Sequence, residues 1–511
     1  MKRIKYIVLA VLLMSVASCD NSFDEINSNP NTTTKGSSSM ITTAVIGDLF
    51  SLNTVNTIQR ANSFTKYTIT AGSNADEIYN RYTSEYDINF EDYLILNNLD
   101  KIMELAPEAL YDSYNGFTLF MKALRLFYVS ILYGDIPYSE ALGGEKGIVA
   151  PKYDTQKEVM IHILNDLDEA YNSFNKSTGT LEGDYIFNGN TENWKKIVSA
   201  FELNVLIQLS IKESDPDLRV KERFAKIVAE RPLLASNEDN MRLVFKNQSG
   251  MLYYYNRNNN ATAKLWLTSL LVDLMKKYKD YKLFYYATPA EALTEQGIPS
   301  DSWDAYSGVD PSIPYSDITA KVAEGSVSTI NPRYTDYAPG EPYSKIGYVQ
   351  QNFILAEGAV RGWLPGKSAS DYYLKGIEAS LQLVKDATPD DPAYHNGKAL
   401  TDAMIKEQLA LPEIQLTGNF DDDLRKILEQ KYICSFMQYR LDPYFDYRRT
   451  GYPVFPINPE TNLNTMPDRL PARLMYPSSE LSYNQEHYKE AIDRQFNGND
   501  EVNQLMWILI K

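Results

Sequence analysis

The sequence predicts a mainly α fold, a scaffold of stacked helical hairpins carrying an irregular, loop-rich cap. Three observations carry that prediction. Apolar residues recur at spacings of three and four over most of the chain. The recurrences end at glycine and proline signals. The stretches between them are rich in aromatic residues, which argues against disorder. No signature repeats cleanly at about 34 residues, so the hairpin reading rests on periodicity alone.

At the N-terminus, Lys2, Arg3 and Lys5 precede an almost wholly apolar run from Ile7 to Met14, and Ala17 and Ser18 lead into Cys19. A cationic start, an apolar core and a small-residue cut describe a secretory signal over residues 1–18. The run is too short to span a bilayer, which takes roughly 20 apolar residues. An ordinary signal peptide does not need cysteine at the cut, and Val16-Ala17-Ser18-Cys19 resembles a bacterial lipobox, in which the thiol is acylated. The alternative is a signal with a chance cysteine. Lipidation at Cys19 predicts a chain anchored to a membrane without spanning it. Residues 19–39 are polar and read as a flexible tether, and residues 40–511 as the folded domain. No apolar stretch beyond the signal reads as long enough to cross a membrane.

The helical pattern is clearest in "FTLFMKALRLFYVSILYGDIP", where Phe117, Phe120, Met121, Leu124, Phe127, Ile131 and Leu132 form one stripe. Gly134 stands where a helix-ending glycine belongs and Pro137 blocks continuation. Thr155 and Glu158 have the spacing of a capping box, and Met160, Ile163, Leu164 and Leu167 continue the face. Thr191 opens another helix, with Trp194, Ile197, Val198 and Phe201 on its stripe. Further helices are read from Ile346 to Val360 and around Leu424 to Cys434. Between about 236 and 343 the period weakens, apart from one helix predicted over Leu265 to Lys279. That segment and 453–485 form the predicted cap, and "KALTDAMIKEQLALPEIQL" reads as a similar irregular intrusion. Long loops in a compact domain are functional or disordered.

The 511 residues carry a net charge of −17, which argues against nucleic-acid binding. The three histidines are far apart, no spacing matches a metal site, and no nucleophile elbow or phosphate loop occurs, so the sequence supports no enzyme, metal or cofactor. A carboxylate pair escapes detection by spacing. With Cys19 lipidated, Cys434 has no partner and reads as a buried thiol. Lys431 and Glu357 on apolar stripes read as members of a structural ion pair between helices, and "RRTGYP" (448–453) as ordering a turn through carboxylate contacts.

"YGDIPYSEAL" (133–142), "PKYDTQKEVMIHILNDLDEA" (151–170), "NWKKIVSAFELNVLIQLS" (193–210), "QNFILAEGAVRGW" (351–363), "ILEQKYICSF" with "PYFDYRRTGYP", and "LPARLMYPSSELSYNQEHYKEAI" (470–492) together resemble the SusD/RagB family of outer-membrane nutrient-binding lipoproteins. "INSNPN" (26–31) fits its starch-binding-associated branch, and Asp20, Asp24 and Glu25 resemble the acidic export tag of surface lipoproteins in Bacteroidetes-type bacteria. "DYKLF" at Asp280 and the closing "MWILIK" depart from the usual pattern, which weakens any tie to a starch-specific member. The resemblance implies tetratricopeptide-like hairpins, oligosaccharide (or, in the RagB branch, peptide) binding, no catalysis, and a lid on a SusC-like TonB-dependent transporter. A lipid-anchored glycan hydrolase is the less favoured reading. Expected ligand contacts are aromatics of irregular segments: Trp303 and Tyr306 in "SWDAYSG", and Tyr79 and Tyr82 flanking Arg81. Their flat rings suit stacking on sugar faces, unless they only pin their loops.

Overall fold

The computed structural model describes residues 36–51, 61–70, 78–82, 90–253, 265–438 and 441–511. Cys19, the signal and nearly all of the tether lie outside them. The first helix, α1 (Ser38–Leu49), is capped by the Ser37 hydroxyl, which accepts from Met40 N, and so begins two residues before the boundary read from sequence.

The scaffold continues through α2 (Leu94–Leu105), α3 (Tyr111–Tyr133), α4 (Gln156–Lys176), α5 (Thr191–Gln208) and α6 (Val220–Glu230). After the cap it resumes with α9 (Tyr348–Val360), α10 (Ala369–Ala387), α11 (Asp402–Leu409), α12 (Phe420–Cys434), α13 (Asp442–Thr450) and α14 (Gln485–Phe496), the cap itself holding α7 (Ser269–Lys277) and α8 (Tyr315–Ala323). Each scaffold helix packs on the next, α1 on α2 through to α6. The second half joins where α9 lies against α5, α10 and α12. Trp194 shows how such a stack is filled. It is fully buried among the rings of Phe117, Phe120, Phe174 and Phe187, and its indole N–H donates to Asp184 at 2.9 Å.

Local signals act as read. The Thr155 hydroxyl and Glu158 carboxylate form a complete capping box at the start of α4. Gly134 ends α3 with φ of +107°. Four expectations need correction. The stretch Glu108–Tyr133 is long and apolar enough to cross a membrane, yet 83% of its most apolar window is buried among neighbouring helices, which explains the composition as that of a core helix. Leu265–Leu267 is a strand, and helix α7 starts only at Ser269. Ile346 ends a strand, with α9 starting at Tyr348. The intrusion at 398–416 contains α11, capped by the Thr401 hydroxyl.

A buried ion network ties the second half together. Glu357 on α9 meets both guanidinium nitrogens of Arg449 on α13, and Arg361 Nε lies 2.8 Å from its Oε1. Arg449 also pairs with Asp446, which takes Lys431 Nζ of α12 at 2.8 Å. Lys431 and Glu357 are thus linked through Arg449 and Asp446. Arg448, its neighbour, instead donates to the carbonyls of Ala472 and Ile131. Cys434 is buried with Lys282 Nζ at 3.7 Å, and Lys282 pairs with Asp280 at 2.8 Å inside the core. Burial pushes the thiol pKa up.

The cap is laid over small sheets. Strand β1 (Thr68–Thr70) pairs antiparallel with β3 (Leu265–Leu267), and β2 (Met241–Leu243) pairs with β4 (Tyr343–Ile346). Beneath the first ladder a separate small core gathers Ile69, Ile78, Tyr79, Val309, Ile318 and Val327.

Candidate functional site

Strand β3 makes the site. Leu265 and Leu267 point into the main core, so the period of two turns Trp266 to the other face. There Trp266 stands opposite Ile69 on β1 and bridges to Thr329 on its other side. Leu267 N donates to Ser328 O at 2.9 Å, and Thr288 N to Thr329 O at 2.8 Å, which brings the 288–294 segment alongside. The outcome is a cleft of about 470 Å³, with Trp266, Thr288, Glu291, Ser300, Thr329 and Asn396 among its walls. That volume lies in the range of small-molecule sites.

Trp266 is half-buried and rests on the small core. Among the described residues its indole N–H has no acceptor and its ring no aromatic partner. Trp194, by contrast, has both. Buried or half-buried Trp N–H groups usually find an acceptor, so this one is available to a ligand. Asn396 adopts the left-handed conformation (φ +49°), and its amide donates to the carbonyls of Phe284 and Ala287 at 2.7 and 2.9 Å. This fixes the side chain at the cleft edge.

The five residues singled out from sequence fall into two groups. Trp303 is half-buried, 4.7 Å from the Phe284 ring and 5.6 Å from Tyr281, on a turn packed against the cleft-wall segment Glu291–Glu295. Tyr306 is buried, edge-on to the same Phe284, and donates to Ser300 O at 2.8 Å. Burial raises its pKa, so it stays a neutral donor. Tyr79 sits in the small core with its hydroxyl on Ile313 O at 2.9 Å. Tyr82 is buried in the main core, stacked on Phe64 at 4.4 Å, and Arg81 between them is exposed. Tyr79 therefore underlies the surface that carries Trp266, and Tyr306 holds the Ser300 wall, but neither opens to solvent. Sequence reasoning missed Trp266, Glu291 and Asn396. Only the alternation in "LWL" signalled the first, and a helical reading absorbed it.

The SusD-like profile, described as starch-binding associating with outer membrane, matches residues 29–477. The chain belongs to the SusD-like family. A solved SusD homologue from Bacteroides fragilis is 46% identical, with a TM-score of 0.89 over 93% of this chain and 100% of its own. A second B. fragilis homologue is 30% identical at a TM-score of 0.83, with the same coverage of both chains. A chitin-binding SusD homologue from Flavobacterium johnsoniae shares the fold at 20% identity and a TM-score of 0.72, covering 93% of this chain and 99% of its own. No curated protein matches significantly. In this SusD-like chain the helical scaffold presents the cleft, and the cap supplies all its walls except Asn396.

Proposed function

We propose that the protein captures oligosaccharides in the Trp266 cleft and hands them to a SusC-like TonB-dependent transporter, without cleaving them. It does so at the outer face of the outer membrane, held there by a lipid on Cys19. One observation carries the reading: a half-exposed tryptophan, its N–H unpartnered among the described residues, lines a cleft together with Thr, Ser, Asn and Glu side chains. A flat apolar face beside hydroxyl and amide groups matches a sugar ring, apolar on one face and ringed with hydroxyls. The family description and the chitin-binding relative point to the same ligand class. Trp303 offers a second ring beside the wall and Arg81 lies exposed between Tyr79 and Tyr82, while Tyr79, Tyr82 and Tyr306 position the loops.

Calorimetry with a panel of neutral oligosaccharides tests this reading. Trp266→Ala should weaken binding about tenfold, the worth of partly burying one ring, in a variant whose circular dichroism shows the fold retained. Absence of binding across the panel overturns the reading, and product formation during the titration overturns the non-catalytic part. Copurification from mild detergent should bring down a β-barrel transporter, and Cys19→Ala should abolish labelled palmitate incorporation. A wild type that carries no lipid removes the anchor.

A further inference from the structure

The cleft has a charge. Among the described residues, Glu291 is the one ionisable group on its walls, and no Lys, Arg or His lines it. Among the described residues, the Glu291 carboxylate makes no hydrogen bond or ion pair. Its backbone is fixed nonetheless. Thr294 Oγ1 donates to Glu291 O at 2.8 Å, and Ala292 N donates to Gly325 O at 3.0 Å. Gly325 abuts the side chain so closely that a Cβ there would lie 3.6 Å from Glu291 Oε2. Glu291 is exposed on the cleft wall, its backbone is fixed, and among the described residues its carboxylate is neutralised by no partner. The cation near the Asn396 edge, Lys398, is turned to Asp301 at 3.8 Å. A chain of net charge −17 supplies no compensating field.

We propose that this cleft selects saccharides by charge: it accepts neutral and amine-bearing units and rejects units carrying carboxylate or sulfate, with Glu291 the specificity-determining residue. The proposal rests on the saccharide reading above. Two like charges about 6 Å apart at a partly exposed site repel by an amount equivalent to about tenfold in affinity, and salt screens the effect. An ammonium group on the ligand gains by a similar factor.

The test is calorimetry at pH 6 with size-matched oligomers of three kinds: neutral (glucose, mannose and N-acetylglucosamine), glucosamine, and galacturonic acid. The wild type should bind the uronate series at least about tenfold more weakly than the best neutral series, the gap narrowing at high salt. Glu291→Gln should bring the two within about threefold and weaken glucosamine binding, with the melting temperature unchanged because the carboxylate holds nothing in the fold. Equal binding of neutral and uronate oligomers by the wild type overturns charge selection and leaves the saccharide reading standing. An unchanged ratio in Glu291→Gln overturns the assignment to that residue. Failure of all three series to bind removes the saccharide reading, and this one with it.

Discussion

Tyr306 donates its hydroxyl to Ser300 O from inside the core, so its loss is felt first as stability. Tyr306→Phe should cost about 1 kcal/mol, one buried hydrogen bond. Tyr82→Ala, which removes a ring stacked on Phe64, should cost about 3–5 kcal/mol. Trp266→Ala should lose some stability, because its ring rests on the small core, but unlike the other two it should also weaken oligosaccharide binding about tenfold. Paired denaturation and calorimetry separate the two behaviours. The contrast also explains why these rings were hard to sort from sequence. Polar neighbours made Tyr79 and Tyr306 look free of packing, but the acceptor of Tyr79 lies 234 residues away. No local period reveals a partner at that distance. Trp266 was hidden for the opposite reason, since its strand is three residues long and merges into a helical pattern.

Capped helix ends were legible, because caps are local chemistry. The starts of α7 and α9 were not, since a short strand before each merged into the helical period. The capping box at Thr155 and the glycine stop at Gly134 are each written within a few residues, whereas the short cap strands gain their definition from partners far along the chain. Thr155→Ala should destabilise by about 1 kcal/mol by stripping the first turn of α4 of its acceptor. Gly134→Ala should cost more than 1 kcal/mol. Its positive φ disfavours any side chain, and a Cβ would sit 2.2 Å from Gln495 Oε1. Urea titrations of the two variants give the ranking. A Gly134→Ala loss no larger than that of Thr155→Ala contradicts the clash.

For the molecule as a whole, Glu357 in the buried network with Arg449, Asp446 and Lys431 contributes to acid sensitivity. Burial works to raise the Glu357 pKa, but the guanidinium groups of Arg449 and Arg361 outweigh it and bring it from 4.5 to about 2. The unfolded chain then binds the proton more tightly. Stability present above pH 4.5 is lost as pH falls toward 2, on the order of 3 kcal/mol from this group. The urea midpoint should fall over that window in the wild type and less steeply in Glu357→Gln. Breaking the network at neutral pH with Glu357→Ala should cost about 3–5 kcal/mol, because Arg449 stays buried. The chain closes on itself as well. The turn after α3 is completed by the far end of the chain: Leu474 N bonds Leu132 O, Tyr476 OH bonds Asp135 O, and Asp135 N donates to Gln495 Oε1, 360 residues on. At about 5–20 residues per second of synthesis, that turn waits roughly 20–70 s for its partners. Meanwhile α3, a long and apolar core helix, has been made but lacks its final cover. The closure of that turn is therefore a late event in folding, since it needs the segment after Leu470.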